Sequence, residues 1–288
     1  MFSYSDAFAR NIGWLTVDEQ AALRSKTVAI AGLGGVGGAH LLTLARLGVG
    51  GFHIADFDRF DIANFNRQAG ATVSTLGRPK LEVLLEMARD INPELRIKPF
   101  AKGVDGSNLA EFFGGVDLYV DGLDFFAFAA RRAAFAHCAA AAIPATTVAP
   151  LGMGAGLLNF LPGRMTFEQY FRWGDHDEDE MALRFLIGLA PARLHGGYLV
   201  DPSQVSLPER RGPSTIMACQ LCAGIAGTEA LKMLLRRGPV LAAPWAMQFD
   251  AYRNRVVRTW RPGGNANPIQ RLALFIGRRQ LAAMQGSA

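Results

Sequence analysis

Two cationic side chains and one carboxylate in the first half of the chain have the types and spacing needed for chemistry on a polyphosphate. Arg67 lies in the segment Asn-Phe-Asn-Arg-Gln, Lys80 follows Gly-Arg-Pro, and Asp124 ends the segment Asp-Gly-Leu-Asp. A guanidinium binds phosphate through two hydrogen bonds, an ammonium acts as a point charge, and a carboxylate can hold Mg²⁺ beside phosphate oxygens. These groups suit the attack of a carboxylate on the α-phosphorus of ATP, because two anions meet there and charge builds up on the pyrophosphate leaving group.

A glycine-rich turn precedes these residues and has the spacing of a nucleotide-binding loop. It follows the β-branched run Lys26–Ala31, which predicts a buried strand, and precedes the apolar stretch Ala39–Leu47, which predicts a helix. Asp56 ends the next predicted strand, where a carboxylate can accept hydrogen bonds from ribose hydroxyls. The G-x-G-x-x-G spacing is met by Gly32, Gly34 and Gly37. The turn therefore predicts a nucleotide phosphate at the helix N-terminus, with a glycine-rich packing turn as the alternative.

The polar residues after the turn distinguish ATP from a dinucleotide, which the glycine spacing alone does not. A nicotinamide-dependent oxidoreductase needs an apolar slot and an acid or base beside the hydride centre, but no cluster of cations around a triphosphate. Arg67, Lys80 and Asp124 each have an ordinary interpretation as well, as a surface charge, a helix-start residue and an N-cap. Their joint occurrence in this order favours ATP and makes the oxidoreductase the weakest hypothesis.

Five segments together resemble the ThiF/MoeB/HesA family of ubiquitin-activating-enzyme-like adenylyltransferases. In chain order they read GLGGVGG, DFD, NFNRQ, GRPK and DGLD. The resemblance runs from about Arg10 to Leu161 and resumes over Ser214–Trp260. The N-R-Q and D-x-x-D segments are far more specific than the glycine turn. The resemblance implies an adenylyltransferase that uses ATP and Mg²⁺ to activate a carboxyl group.

The resemblance also implies roles for individual residues. Asp56 would bind the ribose, Asp124 would hold Mg²⁺, and Arg10 would reach the ATP of a partner subunit, so a homodimer is implied. The implied catalytic residues are Arg10, Arg67, Lys80 and Asp124. The implied nucleotide contacts are Gly32, Gly34, Gly35, Gly37, Asp56, Asp58, Asn64, Arg67, Gln68 and Lys80.

The elements that must position these residues alternate between strands and helices, without a tandem repeat. This order predicts an α/β fold with a Rossmann-like doubly wound, mainly parallel sheet and helices on both faces, plus a C-terminal strand pair and inserted loops. We expect an ATP-binding core over residues 1–162 and an inserted substrate-facing loop segment over 163–213. A helix and strand pair over 214–262 would complete the fold, and a basic tail over 263–288 would follow.

Local signals refine these elements. Thr16 and Glu19 form a capping-box pattern that predicts an N-terminal helix, and Ser214–Leu235 is a predicted long helix. The acidic run Asp175–Glu180 is expected to keep a loop solvated, with a surface for a basic partner as the alternative. The tail from Asn267 is expected to form a partly amphipathic helix that packs on the body, with docking on a partner as the alternative.

Composition and cysteine usage exclude several classes of protein. The 288 residues carry a net charge of +5 and contain neither a membrane-spanning apolar run nor a signal-peptide pattern, so we expect a cytoplasmic protein with no membrane partner. The single Cys-x-x-Cys pair, Cys219 and Cys222, does not supply the four ligands of a structural zinc, so no zinc is expected. No cysteine lies between Gly163 and Pro213, so we expect adenylation without a stable enzyme thioester.

The substrate is the least determined part of the prediction. The leading hypothesis is the C-terminal carboxylate of a ubiquitin-like or sulfur-carrier protein. Alternatives are a tRNA nucleoside, as in dehydratases of this type, another peptide or small-molecule carboxylate, or a non-catalytic nucleotide-binding partner module. From Ala251 onward the chain holds seven arginines and no acidic residue. Such a tail suits nucleic acid, an acidic protein or a partner subunit, although the acidic run at 175–180 opposes nucleic acid and a solvated surface is the simplest interpretation.

Overall fold

One mixed sheet forms the framework of the protein, in a computed structural model that describes residues 1–206 and 209–285. The strands are β1 (Thr27–Ala31), β2 (Gly51–Ala55), β3 (Arg96–Phe100), β4 (Leu118–Asp121), β5 (Ala145–Leu151), β6 (Gly154–Phe160), β7 (Trp245–Asp250) and β8 (Arg255–Trp260). They lie in the order β3-β2-β1-β4-β5-β6-β7-β8. The five strands from β3 to β5 are parallel, and β6, β7 and β8 continue the sheet antiparallel.

Ten α-helices occur in the described part of the chain. They are α1 (Tyr4–Ala7), α2 (Val17–Ser25), α3 (Gly35–Leu47), α4 (Lys80–Ile91), α5 (Leu109–Phe112), α6 (Phe128–Ala140), α7 (Phe167–Phe171), α8 (Glu178–Leu189), α9 (Ile216–Leu234) and α10 (Pro268–Gln285). The predicted capping box is confirmed at the start of α2, where Thr16 Oγ1 accepts from the Glu19 N–H at 3.1 Å and the Glu19 carboxylate accepts from the Thr16 N–H at 2.9 Å. The predicted long helix and C-terminal strand pair are also present, as α9 and as β7 with β8.

Helices cover both faces of the sheet, as the predicted doubly wound fold requires. On one face α3, α4 and α9 pack against the strands through residues such as Leu41, Leu84 and Ala226. On the other face α6, α7 and α8 contribute aromatic residues such as Phe135 and Phe185. Because both faces are covered, strands β1, β2 and β4 are buried almost throughout rather than alternating, whereas β3 at the edge of the sheet carries exposed charged residues. The α/β fold class is confirmed.

Strand β6 was not predicted, because its sequence is rich in glycine, which weakens a strand pattern. The structure gives a packing reason for these glycines. A Cβ on Gly154 would overlap the Phe249 carbonyl oxygen, and a Cβ on Gly156 would lie 2.6 Å from the Leu189 carbonyl oxygen. The antiparallel part of the sheet is therefore larger than the expected strand pair, since β6 joins β5 to β7 in one sheet.

The expectation of a solvated loop at the acidic run holds for Asp175–Asp177 but was wrong from Glu178 onward, where α8 begins. Asp177 caps α8, its carboxylate accepting from the Glu180 N–H at 2.8 Å, and the following acidic residues form the first helical turn. Acidic side chains stabilise a helix N-terminus because they oppose its positive dipole end, so the run suits a helix start as well as a loop. The insertion also contains a buried aromatic cluster that includes Tyr170, Trp173 and Phe185. The insertion thus combines loops with two helices, α7 and α8, that pack in a buried layer.

The tail forms the expected amphipathic helix and packs on the body. In α10, Ala273 and Leu274 are buried against Leu183 and Ile187 of α8. The last three residues of the predicted tail, 286–288, lie outside the described residues. None of the helices in the described ranges is long and apolar enough to cross a membrane.

His40 on α3 is fully buried with neither ring nitrogen hydrogen-bonded to any of the described residues. Burial disfavours the charged imidazolium and lowers the pKa of His40 to about 4, although the charge of Asp121 acts in the opposite direction. The unfolded chain takes up this proton near the ordinary value of 6.5, so the unfolded state gains protons first as the pH falls. This residue therefore makes stability decrease as the pH falls between these two values.

We expect the loss to be measurable by urea unfolding at two pH values. Lowering the pH from 7 to 5 should reduce the free energy of unfolding by about 2 kcal/mol through His40. The variant His40→Leu lacks the proton-binding group, so its pH-dependent loss should be smaller than that of the wild type by about this amount. His176→Gln, at an exposed position, is the control and should behave as the wild type. Equal losses in wild type and His40→Leu would contradict the assignment.

Candidate functional site

The glycine loop (residues 32–38) joins β1 to α3 at the carboxyl end of the parallel strands, where open α/β sheets bind ligands. Gly32 has a φ of +82°, a conformation that favours glycine. The Leu33 N–H donates to Asp56 Oδ2 at 2.6 Å, and the Asp58 N–H donates to Asp56 Oδ1 at 2.8 Å. Burial raises the pKa of Asp56, although these hydrogen bonds act in the opposite direction. The carboxylate that follows β2 is thus fixed to the glycine loop.

The loop after β4 contacts the glycine loop backbone to backbone. A Cβ on Gly122 would lie 2.7 Å from Gly37 Cα and would overlap the Gly32 carbonyl oxygen, which a Cβ on Gly37 would overlap as well. Only glycine fits at these positions, because the neighbouring atoms belong to the backbone and cannot turn away. Asp124 lies two residues beyond Gly122. The close packing of the two loops therefore sets the position of Asp124 relative to the glycine loop.

The segment after β2 brings Arg67 and Gln68 to the same loop. The Asn64 carbonyl oxygen accepts from the N–H groups of Arg67 at 3.1 Å and Gln68 at 2.9 Å, so the three residues form one turn. A Cβ on Gly35 would lie 3.4 Å from Cγ of Arg67, and one on Gly34 would lie 3.8 Å from Nε2 of Gln68. The Asn64 side chain is occupied within its own turn, where Oδ1 accepts from a backbone N–H three residues earlier.

Lys80 opens α4 and is linked to the same cluster through Asp58. Its side chain is only 7% exposed, whereas that of Asp58 is 54% exposed, and Nζ lies 3.0 Å from Asp58 Oδ2. The Lys80 N–H also donates to the Asp58 carbonyl oxygen at 2.9 Å. A buried ammonium with a half-exposed partner can exchange that carboxylate for a phosphate oxygen, because the partner is free to turn toward water.

Asp124 is an exposed carboxylate with one oxygen engaged locally, since Oδ1 accepts from the Phe126 N–H at 3.0 Å. No group of three or more metal-binding side chains occurs in residues 1–206 and 209–285. Mg²⁺ fits a single carboxylate nevertheless, because it takes one or two carboxylates together with phosphate oxygens and water. Asp124 would therefore hold Mg²⁺ jointly with the phosphates of a bound nucleotide.

Arg131 on α6, which the sequence analysis did not single out, fixes the loop that carries Asp124. Its Nε donates to Asp121 Oδ2 at 2.8 Å, and both side chains are 2% exposed. Its two terminal nitrogens donate to the carbonyl oxygens of Leu123, Asp124 and Phe125 at 2.7, 2.9 and 3.1 Å. A usable signal was present, because Arg131 falls on the apolar face of a predicted helix, where an arginine requires a buried partner.

Arg10 is not brought to the site within one chain. It is exposed in a short 3₁₀ turn, and the adjacent Asn11 donates to the Leu47 carbonyl oxygen at 3.2 Å, at the C-terminal end of α3. The glycine loop lies at the N-terminal end of the same 13-residue helix, which is roughly 20 Å long. Arg10 and the glycine loop of one chain are thus separated by the length of a helix.

The start of α9 contacts the Asn66 segment and the glycine loop. Asn66 Nδ2 donates to the Ser214 carbonyl oxygen at 3.0 Å, and Thr215 Oγ1 donates to the Gly152 carbonyl oxygen at 3.0 Å. A Cβ on Gly35 would lie 2.9 Å from Cys219 Sγ, so this thiol packs beneath the glycine loop. Burial raises the pKa of Cys219, and all three cysteines are buried, as expected for core cysteines.

The model of the ThiF family matches residues 8–271, nearly the whole chain. The chain belongs to the ThiF family. The resemblance inferred from the five sequence segments is thereby confirmed.

Curated ThiF-family relatives are similar over part of their length. The tRNA threonylcarbamoyladenosine dehydratase of Bacillus subtilis is 36% identical over 118 residues, which cover 41% of this chain and 46% of that protein. The molybdopterin-synthase adenylyltransferase of Escherichia coli is 36% identical over 136 residues, 47% of this chain and 54% of that protein. The chain thus spans about half the length of these relatives.

Solved structures show the same fold as this ThiF-family chain. PaaA matches with a TM-score of 0.68 at 17% identity, covering 90% of this chain and 76% of that chain. MccB of Escherichia coli matches with a TM-score of 0.66 at 18% identity, covering 89% and 72%. At this identity the likeness concerns the fold alone.

We expect the buried Arg131–Asp121 pair to be essential for the stability of this ThiF-family protein. Arg131→Met should lower the free energy of unfolding by about 3–5 kcal/mol, because Asp121 would be left as a buried charge without a cation. The double variant Arg131→Met with Asp121→Asn should lose less than the two single losses added together, since that charge is removed as well.

The control is Arg132→Met on the exposed side of the same helix. Its ion pair with Glu168 is about 40% exposed on each side chain, so its loss should cost at most about 1 kcal/mol. Urea unfolding measures the wild type, Arg131→Met, Asp121→Asn, their double variant and Arg132→Met. If the double variant loses as much free energy of unfolding as the two single variants together, the two residues do not stabilise each other as proposed.

Proposed function

We propose that this protein adenylates a carboxylate with ATP and releases pyrophosphate. The proposal rests on one observation: three groups suited to this reaction lie around one glycine loop. Arg67 packs against Gly35, Asp124 is held two residues beyond the Gly122 contact, and Lys80 joins the cluster through Asp58. The family membership supports the same chemistry, since relatives include adenylyltransferases.

Each group has a task set by its position and burial. Asp56, fixed to Leu33 beside the glycine loop, accepts the ribose hydroxyls. Arg67 and Lys80 bind the phosphates and offset the charge that develops on pyrophosphate. Asp124 holds Mg²⁺, which supplies further positive charge when bound. Gln68 Oε1, which is buried and has no hydrogen-bond partner within the described residues, is an acceptor available to a donor on the nucleotide.

The substrate we favour is the C-terminal carboxylate of a ubiquitin-like or sulfur-carrier protein. One relative, the sulfur carrier protein ThiS adenylyltransferase of Escherichia coli, is 29% identical over 170 residues and acts on such a carrier by its name. A second candidate is a modified tRNA nucleoside, favoured by the similarity to the dehydratase of Bacillus subtilis. Both candidates use the same ATP chemistry and differ in what delivers the oxygen nucleophile.

The active unit is proposed to be a homodimer in which Arg10 acts on the nucleotide of the partner. Within one chain Arg10 lies a helix length from the glycine loop, and no side-chain hydrogen bond or ion pair holds it among residues 1–206 and 209–285. An exposed arginine so placed can contribute to a phosphate site only across a subunit boundary.

Pyrophosphate exchange into ATP tests the reaction and the role of Asp124. With candidate sulfur-carrier proteins as carboxylate donors, exchange should require Mg²⁺ and should fall by roughly a hundredfold or more in Asp124→Ala. The same change at Asp90, an exposed aspartate at the end of α4 opposite to Lys80, should leave exchange intact. Wild-type exchange in Asp124→Ala would remove this residue from the mechanism. ATP binding without exchange for any carboxylate would instead identify a non-catalytic nucleotide-binding module.

Mixing two inactive variants tests whether Arg10 acts across the dimer. In a heterodimer of Arg10→Ala and Asp124→Ala, one site retains its own Asp124 and receives Arg10 from the other subunit. Co-expressed and purified mixed dimers should therefore recover part of the exchange that each variant lacks alone. Absence of recovery in mixed dimers, isolated through a different affinity tag on each variant, would show that Arg10 does not act across the dimer.

A further inference from the structure

A groove of about 700 Å³ lies between the end of α7, α8 and the first half of α10, away from the glycine loop. Four guanidinium groups line it, and no carboxylate does among the described residues. The arginines are Arg172, Arg184, Arg271 and Arg278. Two of them come from the basic tail that the sequence singled out and that the proposed reaction does not use.

In the ranges that the structure describes, only one carboxylate, that of Glu180, pairs with the arginines of this groove, so the groove keeps a net positive charge. Glu180 accepts from Arg184 at 2.6 Å and from Arg278 at 2.6 and 2.9 Å. Burial acts to raise the pKa of Glu180, but the hydrogen bonds from Arg278 and Arg184 outweigh it and lower the pKa. In the described part of the chain, Arg172 and Arg271 form no ion pair at all. The four cations and one anion sum to +3.

The groove also has an apolar wall that the body does not cover. Helix α10 buries Ala273 and Leu274 against α8, yet Leu272 and Phe275 on the groove side are 60% and 52% exposed. Covering these side chains is favourable only for a ligand that has apolar groups of its own. The surface therefore matches a ligand that combines several negative charges with apolar side chains.

The charge pattern around the groove favours an acidic peptide segment over nucleic acid. Asp175, Asp177 and Asp179 are exposed on the chain that leads from Arg172 into α8. A nucleic-acid strand carries a charge at every nucleotide and would place some of these charges beside the acidic edge. A peptide can place neutral residues there and keep its acidic residues beside the arginines. Arg271 and Arg278 are two helical turns apart, about 10 Å. Acidic residues three apart on an extended peptide have nearly the same spacing.

We propose that this arginine groove docks an acidic, partly apolar segment of the protein whose carboxylate is activated at the glycine loop. The inference rests on the proposed function. Helix α8 separates the two sites, because its Phe185 packs on Phe125 and lies 4.6 Å from the guanidinium of Arg131, beside the Asp124 loop. One helix diameter is about 10 Å, so a single partner protein can reach both sites.

Fluorescence anisotropy with synthetic probes tests the groove without ATP. The probe is a fluorescein-labelled short peptide with Glu at every third position and Leu between, and its matched form has Gln for Glu. The wild type should bind the Glu peptide and not the Gln peptide. The double variant Arg172→Glu with Arg271→Glu should weaken binding by about tenfold or more. Arg255→Glu with Arg258→Glu, on the exposed edge strand β8, makes the same charge change and should bind as the wild type does.

Three outcomes would overturn the docking groove. They are equal affinity of the wild type for the two peptides, equal weakening in both double variants, and displacement of the Glu peptide by a short single-stranded RNA at lower concentration than by unlabelled peptide. Circular dichroism melts verify that the variants fold. Because binding is measured without ATP, a protein that binds the peptide but catalyses no pyrophosphate exchange contradicts the proposed function alone. Exchange without peptide binding contradicts only the groove.

Discussion

Two loops of the sheet meet where there is no space for a side chain, and this contact sets the geometry of the site. Gly32 and Gly37 of the glycine loop face Gly122 of the loop after β4, and a Cβ on Gly37 or Gly122 would overlap the Gly32 carbonyl oxygen. Each glycine costs roughly 0.5–1 kcal/mol of chain entropy relative to alanine, and the close approach offsets that cost by fixing two strand ends together. Because one of these ends leads to Asp124, the Asp124 carboxylate and the glycine loop are held in register without any direct bond between them.

The two ion pairs near the site, Arg131–Asp121 and Lys80–Asp58, differ in how far their side chains are buried. Arg131 and Asp121 are both 2% exposed, so neither can leave the other without exposing a buried charge. Lys80 is equally shielded, but its partner Asp58 is half exposed and can turn to water. The first pair is therefore suited to holding a loop, and the second to exchanging one anion for another. A cation paired with an aspartate is thus suited to holding structure or to exchanging anions, according to how much solvent each partner retains.

The parts of the molecule that sequence could predict are those fixed by short-range rules. Strand, glycine loop and helix follow each other within one βαβ unit, so the spacing of Gly32, Gly34 and Gly37 was enough to locate the turn. Strand β6 depends instead on β7, a partner strand distant in sequence, and the contacts of Arg131 depend on how the loop after β4 folds back onto α6. The backbones of Phe249 and Leu189 pack closely on β6, so glycine is required there. These glycines weaken the sequence pattern by which a strand is predicted. Arg131 lies on the apolar face of its helix, which indicates a buried partner, but only the structure identifies that partner as Asp121. Roles of the site residues themselves remain predictions, since geometry brings groups together without showing what they bind.

The antiparallel strands lie beside the insertion, whose residues the sequence predicts less well than those of the glycine loop. Strand β5 is parallel to β4, so the turn between β5 and β6 lies on the same edge as Asp124. The insertion is tied to this turn, because Tyr198 accepts from the Met153 N–H and donates to Asp250, both at 2.8 Å. In the proposed reaction, a carboxylate that approaches Asp124 would therefore pass side chains contributed by the insertion. In the proposed reaction the phosphates of ATP are the same whatever carboxylate is activated, whereas each carboxylate substrate presents its own surface. The insertion can meet that surface with any residues that keep its aromatic layer buried, and no spacing rule in the sequence specifies them.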